Sequence, residues 1–415
     1  MSEEQAQPAT RREWFLLITL ATIQFTNILD FVIMMPLGPQ LMRVFDMNAQ
    51  QFGLVVSAYT FSAGTTGLLA AFFIDRFDRR RSLLFLYAGF GVGTFLCAIA
   101  PSYVFLVAAR MTAGAFGGIL GATIFAIIGD VIPYSRRGAA TGMIMSSFSL
   151  ATVVGVPTGM YLANRFSWHA PFFLLAANAA FVWAVAFRAL PVLRTHLDNA
   201  SDESPVRVVV SLVASWKYLR AFVFMILLVY AGFSIIPYLA PFLVSNLNMT
   251  EAQLPLVYFF GGAATIFTSR LFGRLSDQYG KKRIFAILTL VSLLPQLILT
   301  NLTAIPIIPL LVLTTFFMVF ISGRGVPAMA LVTSMVEPHR RGSFMSLNTS
   351  AQQLAAGVAS MISGSVLITT SNGQLQRFDW IGWIAALVAC ACLWMSTKLE
   401  SLEEISPAPV ASHGR

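Results

Sequence analysis

The sequence predicts an all-α membrane protein of twelve transmembrane helices, built as two six-helix bundles related by a pseudo-two-fold axis. Three observations carry this expectation: the composition, long unbroken apolar runs, and an internal repeat at about half the chain length. The 415 residues are 57% hydrophobic and only 11% charged, with mean hydropathy +0.75. A soluble domain carries about 25% charged residues, because a water-facing surface needs them. The deficit excludes a soluble enzyme, a disordered chain and a disulfide scaffold. A β-barrel would show short alternating segments instead of long apolar runs. The three cysteines, Cys97, Cys390 and Cys392, all fall inside apolar runs, and Cys390-x-Cys392 lacks metal-ligand spacing. They read as packing residues.

A transmembrane helix needs about 20 mostly apolar residues. Twelve runs meet this: 14–36, 51–73, 83–99, 104–130, 139–163, 171–189, 221–244, 253–272, 284–301, 305–330, 343–368 and 379–397. Thr10-Arg11-Arg12-Glu13-Trp14-Phe15-Leu16 has the look of a twin-arginine export signal. The apolar run behind it is too long, however, and no small-residue cleavage site follows. The expected organisation is a tail over 1–13, a first bundle over 14–189, a polar linker over 190–220, a second bundle over 221–397 and a tail over 398–415.

The basic residues sort by side. About 22 lie on the side of the N-terminus, about three (Arg43, Arg165, Arg377) on the other, and Arg110 and Arg324 lie within spans. This positive-inside pattern predicts both termini in the cytoplasm of a cell with the protein in its plasma (inner) membrane. It also accounts for the net charge of +9 without nucleic acid.

The segment after span two reads Ala71-Phe72-Phe73-Ile74-Asp75-Arg76-Phe77-Asp78-Arg79-Arg80, and the one after span eight reads Gly273-Arg274-Leu275-Ser276-Asp277-Gln278-Tyr279-Gly280-Lys281-Lys282. Asp75 and Asp277 are 202 residues apart. Arg136-Arg137-Gly138 before span five and Arg340-Arg341-Gly342 before span eleven are 204 apart. Two independent motifs at nearly one offset predict two parallel six-span halves.

With these motifs the chain resembles the major facilitator superfamily over about its whole length. The family's loop signature is G-x3-D-x2-G-[RK]-[RK]; Gly273 to Lys282 fits it throughout, whereas the first copy has Ala71 and Asp78 in place of the glycines. The resemblance implies the major facilitator fold and transport by alternating access. It implies a cytoplasmic gate or latch built from Asp75, Arg79 and Asp130, with Gly273, Asp277, Gly280 and Lys281 as the second copy. That latch would hold in the outward-facing state and break in the inward-facing one. The bland alternative is that these charges only anchor the loops.

Ionisable groups deep in a membrane are costly and mark function by default. Asp30 in span one and Arg110 in span four each lie about six residues, or about 9 Å, from the same boundary. Matched depth makes them partners for one another. Gln24, Asn27, Asp30 and Met34 share one helical face, which is expected to look into the cavity. The span-one stretch Leu29-Asp30 to Pro36 and the span-four stretch Arg110-Met111-Thr112-Ala113-Gly114 resemble motifs of the drug:proton antiporter and sugar-efflux branch. Proton coupling through Asp30 and Arg110 follows from that resemblance; a structural ion pair and direct binding of a charged substrate are the alternatives. Gly155-Val156-Pro157-Thr158-Gly159 partly resembles the antiporter bend G-P-x-x-G, with Gly155, Pro157 and Gly159 set against plain small-residue packing.

The substrate cavity is expected to be lined by Tyr230, Phe233, Tyr238, Phe259, Phe316 and Phe320 in the second half, with Arg324 and Gln352 as polar groups. Aromatic lining suits amphipathic or drug-like compounds; the amides keep a sugar or other polar metabolite open. Arg324 binds an anion, closes a gate or snorkels to the headgroups. The sequence offers no metal cluster, nucleophile–base pair or nucleotide-binding segment. The expectation is therefore not an enzyme but a monomeric exporter of small organic compounds by proton antiport. It needs no cofactor beyond a proton gradient, and its partners are its substrate, protons and the bilayer. A transporter of sugars or other polar metabolites (exporter, symporter or uniporter) on the same fold is the alternative, and a receptor on that fold is a third reading.

Overall fold

A computed structural model of the chain describes residues 10–74, 77–190, 205–337 and 340–399. Asp75, residues 191–204 of the expected linker and the outermost parts of both tails lie outside the described residues.

The first half contains α1 (Arg11–Ile33), a short α2 (Gly38–Val44), α3 (Ala49–Ala70), α4 (Arg79–Ala98), α5 (Tyr103–Val131), α6 (Tyr134–Leu150), α7 (Val156–Arg165) and α8 (His169–Ala189). The second contains α9 (Pro205–Ala214), α10 (Trp216–Phe233), α11 (Ile236–Ser245), α12 (Leu254–Tyr279), α13 (Lys281–Thr300), α14 (Ile307–Gly323), α15 (Gly325–Ser334), α16 (Arg341–Val366) and α17 (Phe378–Thr397). A small antiparallel hairpin, β1 (Ile368–Thr369) with β2 (Leu375–Gln376), precedes α17. Among the described residues, eleven segments are long and apolar enough to cross a membrane. The twelfth expected span is α16, which has 26 residues but carries serines, amides and glycines where other spans carry Leu and Ile.

Helix starts follow local chemistry. Thr10 with Glu13, and Asn48 with Gln51, form capping boxes on α1 and α3. Asp78, the residue that replaces a signature glycine, caps α4: its Oδ1 accepts the Arg81 N–H at 3.1 Å. In the second copy Gly280 turns the chain between α12 and α13 at φ 91°, a conformation that favours glycine. The two repeats thus start equivalent helices by different means.

Three spans are broken, one at the bend expected around Pro157 and two within runs counted as single spans. Each break lies before a proline: Pro157 beyond the π-helical turn Ala151–Gly155, Pro237 beyond the α10–α11 break, and Pro327 beyond the α14–α15 break. Proline has no N–H, so the carbonyls of Val153, Phe233 and Gly323 four residues earlier lose their helical partner.

The repeat is visible in side-chain bonding. Arg137 Nε donates to the Ile132 carbonyl at 2.9 Å, and Arg341 Nε donates to the Val336 carbonyl at 3.1 Å, in each case five residues back. We refer to the face carrying Thr10 and Lys398 as the terminal face and the face carrying Arg43 and Arg377 as the far face. The halves pack on one another through α3 with α16, and through α12 with α6 and α7. At the far face Arg43 pairs with Glu251 at 2.7 Å, Asn164 Nδ2 donates to the Glu251 carbonyl at 3.0 Å, and the Ala49 N–H donates to Thr369 Oγ1 at 3.0 Å.

Candidate functional site

Asp30 and Arg110 meet inside the first bundle. Arg110 Nη1 lies 2.8 Å from Asp30 Oδ2, and both side chains are fully buried. The same Nη1 reaches the Asp30 backbone carbonyl at 3.3 Å, and Thr94 of α4 donates its hydroxyl to Asp30 Oδ1 at 3.0 Å. The pair therefore sits among α1, α4 and α5. Arg110 Nε and Nη2 have no hydrogen-bond partner among the described residues. The guanidinium instead lies over the Tyr59 ring, 4.5 Å from its centroid. The spacing Arg110-x-x-x-Gly114 explains how: Gly114, one turn on, lets the Tyr59 backbone of α3 come against α5, where a Cβ would collide with it.

The expected polar face of α1 divides. Asn27 Nδ2 donates to the Gly117 carbonyl at 3.2 Å and Asn27 Oδ1 accepts from the Tyr59 hydroxyl at 3.0 Å. Gln24 is half-buried beside Gly121, with its Oε1 unpartnered among the described residues. Met34 is fully buried in the apolar core. The face looks toward α3 and α5 rather than wholly into a cavity. Its continuation across the bundles is Phe31, which stacks on Tyr59 at 5.1 Å and on Phe233 of α10 at 5.9 Å.

The other lining residues separate. Tyr230, Phe320 and Gln352 are half-buried, and Phe259 and Phe316 are exposed. Phe316 and Phe320 stack at 6.1 Å. Tyr238 is fully buried and donates to the Ser360 carbonyl at 2.6 Å, with its hydroxyl end against Gly53 and Gly364. It lines no open space in this conformation. Gly155 and Gly159 seat α1: a Cβ at either would come within 2.8 Å of Leu29 or Ile33. With Pro157 they place the π-turn directly behind the helix that carries Asp30.

At the terminal face Arg79 Nε lies 3.1 Å from Asp130 Oδ2. Both belong to the first bundle, so rocking of one bundle on the other does not by itself part them. Asp277 is exposed and Lys281 half-buried, and neither forms an ion pair among the described residues. Gly273 has room to spare, since a Cβ would approach only Val326, at 3.9 Å. Arg324 is fully buried at the α14–α15 break.

Sequence reasoning missed Thr94, Tyr59, Phe31 and the Arg43–Glu251 pair. A hydroxyl beside Gly93 and a tyrosine within an apolar run were the only signals for the first two.

The profile of the Major Facilitator Superfamily matches residues 20–269 and 222–412, and the chain belongs to that family. It is therefore a multi-pass membrane transporter of small molecules, not an enzyme. It is similar to the uncharacterized MFS-type transporter YceJ of Bacillus subtilis (strain 168), 26% identical over 383 residues, covering 92% of this chain and 96% of that protein. It is 24% identical over 363 residues to a probable sugar efflux transporter of Helicobacter acinonychis (strain Sheeba), covering 85% and 87%. Among solved structures, a bacterial homologue of the human lysosomal transporter Spinster, inward-facing and occupied, superposes with TM-score 0.75 at 14% identity over 96% of this chain and 100% of that one. A D-xylose–proton symporter superposes with TM-score 0.75 at 16% identity over 94% and 98%.

Proposed function

We propose that the protein exports small organic compounds across the cytoplasmic membrane in exchange for protons, with its terminal face in the cytoplasm. The observation that carries this reading is the Asp30–Arg110 pair, held by Thr94 and fully buried. A carboxyl in that position is suited to carrying a proton. Burial favours its neutral form, and the guanidinium and the threonine hydroxyl favour its charged form. Small changes in hydration or in the Asp–Arg distance then decide which form holds. On protonation of Asp30, Arg110 keeps its contact with the Tyr59 face and the Asp30 carbonyl, so it is not left without a partner.

The route from proton to cargo runs through rings in contact. Arg110 lies on Tyr59, Tyr59 on Phe31, and Phe31 on Phe233 of the opposite bundle. A shift of Arg110 on loading or release of the proton moves a platform shared by both bundles. Flat apolar or amphipathic cargo fits that platform. Rocking of the bundles about it would expose it to each side in turn. The far-face ties at Arg43–Glu251 and Ala49–Thr369 would open in the outward-facing half of the cycle.

A second reading, export of a sugar or similar polyol, is favoured by the amides at Gln24, Asn27 and Gln352 and by the names of several relatives. An aromatic platform flanked by amides can also hold a sugar ring. The two readings separate by cargo. Inverted vesicles with an acid lumen are given radiolabelled amphipathic cations, sugars and polyols. Accumulation that collapses with the pH gradient supports antiport, and the accumulated compound selects between the readings. Accumulation indifferent to the gradient removes the proton from the account.

A further inference from the structure

Arg110 and Arg324 are the two largest side chains sealed inside the protein. The first has an internal counter-charge; among the described residues the second has none. Nε, Nη1 and Nη2 of Arg324 are all without a hydrogen-bond partner among the described residues. A guanidinium stays protonated in a protein, so it cannot relieve its burial by losing the proton. No acidic residue lies on α14 or α15. The described acids of the second half sit at its edges: Glu251 ahead of α12 and Asp379 at the start of α17, Asp277 at the end of α12 and Glu337 beyond α15. Cys392 of α17 is a neighbour of Arg324; its Sγ lies 3.4 Å from the Phe224 carbonyl, within donating distance of a thiol, and it makes no hydrogen bond to the guanidinium.

The backbone is interrupted at Arg324. Arg324 is the single residue between α14 and α15, and Pro327 supplies no N–H to the Gly323 carbonyl. On one side of the break Phe272 fills the space at Gly323, where a Cβ would strike its ring. On the other side Gly325 is half-buried and borders open space, since a Cβ there would meet no atom within 4 Å. A fixed positive charge with three unused donors thus stands sealed at a break in the helix, whose less crowded side is at Gly325. A buried charge left unpaired is among the costliest arrangements in a folded protein.

We infer that the α14–α15 break is a binding site for a compact monoanion, held by the Arg324 guanidinium. Two sources share this chemistry: an inorganic ion resident as counter-charge, and a carboxylate carried by the transported compound. The site stands independently of proton coupling at Asp30.

The test uses the purified full-length protein in lipid nanodiscs. Its unfolding temperature is followed as chloride, nitrate or acetate replaces sulfate at constant ionic strength. We expect a saturable rise of a few degrees with at least one of these anions for the natural protein, and none for Arg324→Met. Stabilisation by chloride or nitrate identifies a free inorganic ion. Stabilisation confined to acetate identifies a carboxylate supplied by cargo. Absence of a saturable response to all three anions overturns the site, and so does an undiminished response in Arg324→Met. Should Arg324→Met fail to fold, Arg324→Lys serves: with fewer donors it should need several-fold more anion for half-saturation, and an unchanged half-saturation point contradicts the assignment.

Discussion

Arg110 and Asp30, 80 residues apart in sequence, face each other at 2.8 Å with neither side chain reaching solvent. Such a pair is asymmetric in its energetics. Its net contribution to folding is small, but removing the guanidinium leaves the buried carboxylate without its counter-charge.

The double-mutant cycle should show this directly. Arg110→Met is expected to cost about 3–5 kcal/mol by leaving a buried carboxylate unpaired. Adding Asp30→Asn to it should recover most of that loss. Thermal unfolding of the purified single and double variants reads the difference. Strictly additive losses would mean that the two groups do not interact energetically.

Thr94→Val removes the hydroxyl that donates to Asp30 Oδ1 at 3.0 Å. The hydroxyl donates more strongly to the charged carboxylate than to the neutral acid, so its loss weakens the hold on the charged form. A hydrogen bond to a charged group is worth about 1.5–3 kcal/mol, which corresponds to about one pH unit or more. The pH at half-maximal transport should move upward by that amount. An unmoved or downward-shifted profile would show that Asp30 does not govern it.

Phe233→Ala removes the ring that joins the two bundles at Phe31. An aromatic pair is worth about 0.5–1.5 kcal/mol beyond its buried area, so KM for aromatic cargo should rise about 2- to 13-fold. Dependence on the pH gradient should persist, because Asp30, Arg110 and Thr94 are untouched. Initial-rate uptake at several cargo concentrations separates the two parameters.

Gly53→Val places a side chain against the Tyr238 hydroxyl and the Ser360 carbonyl, across the junction between the bundles. Neither neighbour is free to yield, since Tyr238 is bonded to Ser360 at 2.6 Å. The far face should be wedged open. Spin labels at Val44 and Ser371, one in each bundle at that face, should report longer distances in Gly53→Val than in the natural sequence, and equal distances would contradict the wedge.

Much of the fold was legible because it depends on patterns that one sequence carries by itself. Apolar runs of membrane length, loop charges of one sign and motifs 202 and 204 residues apart all survive without knowledge of contacts. The bend at Pro157 was legible from its motif, whereas the breaks before Pro237 and Pro327 fell inside runs counted as single spans, because hydropathy is blind to a missing N–H. At the site, Asp30 and Arg110 stood out because charge in an apolar run is conspicuous. Thr94, Tyr59 and Phe31 did not, because a threonine or an aromatic ring in a span is ordinary until a neighbouring helix gives it a partner. Arg43 entered only as a loop charge, and Glu251, 208 residues on, not at all, until the bundles brought them to 2.7 Å. Tyr238 had the opposite history: its residue type suggested a cavity, and its surroundings bury it between glycines.

The most direct test of the coupling assignment is proton-driven uptake by Asp30→Asn in inverted vesicles, beside a check that the variant folds and binds cargo. The amide is close in shape, keeps a hydrogen-bonding oxygen for Thr94 and carries no titratable proton. Uptake driven by an acid lumen should fall to the level of empty vesicles, while exchange of labelled for unlabelled cargo continues. Full gradient-dependent uptake by Asp30→Asn would show that the proton travels elsewhere.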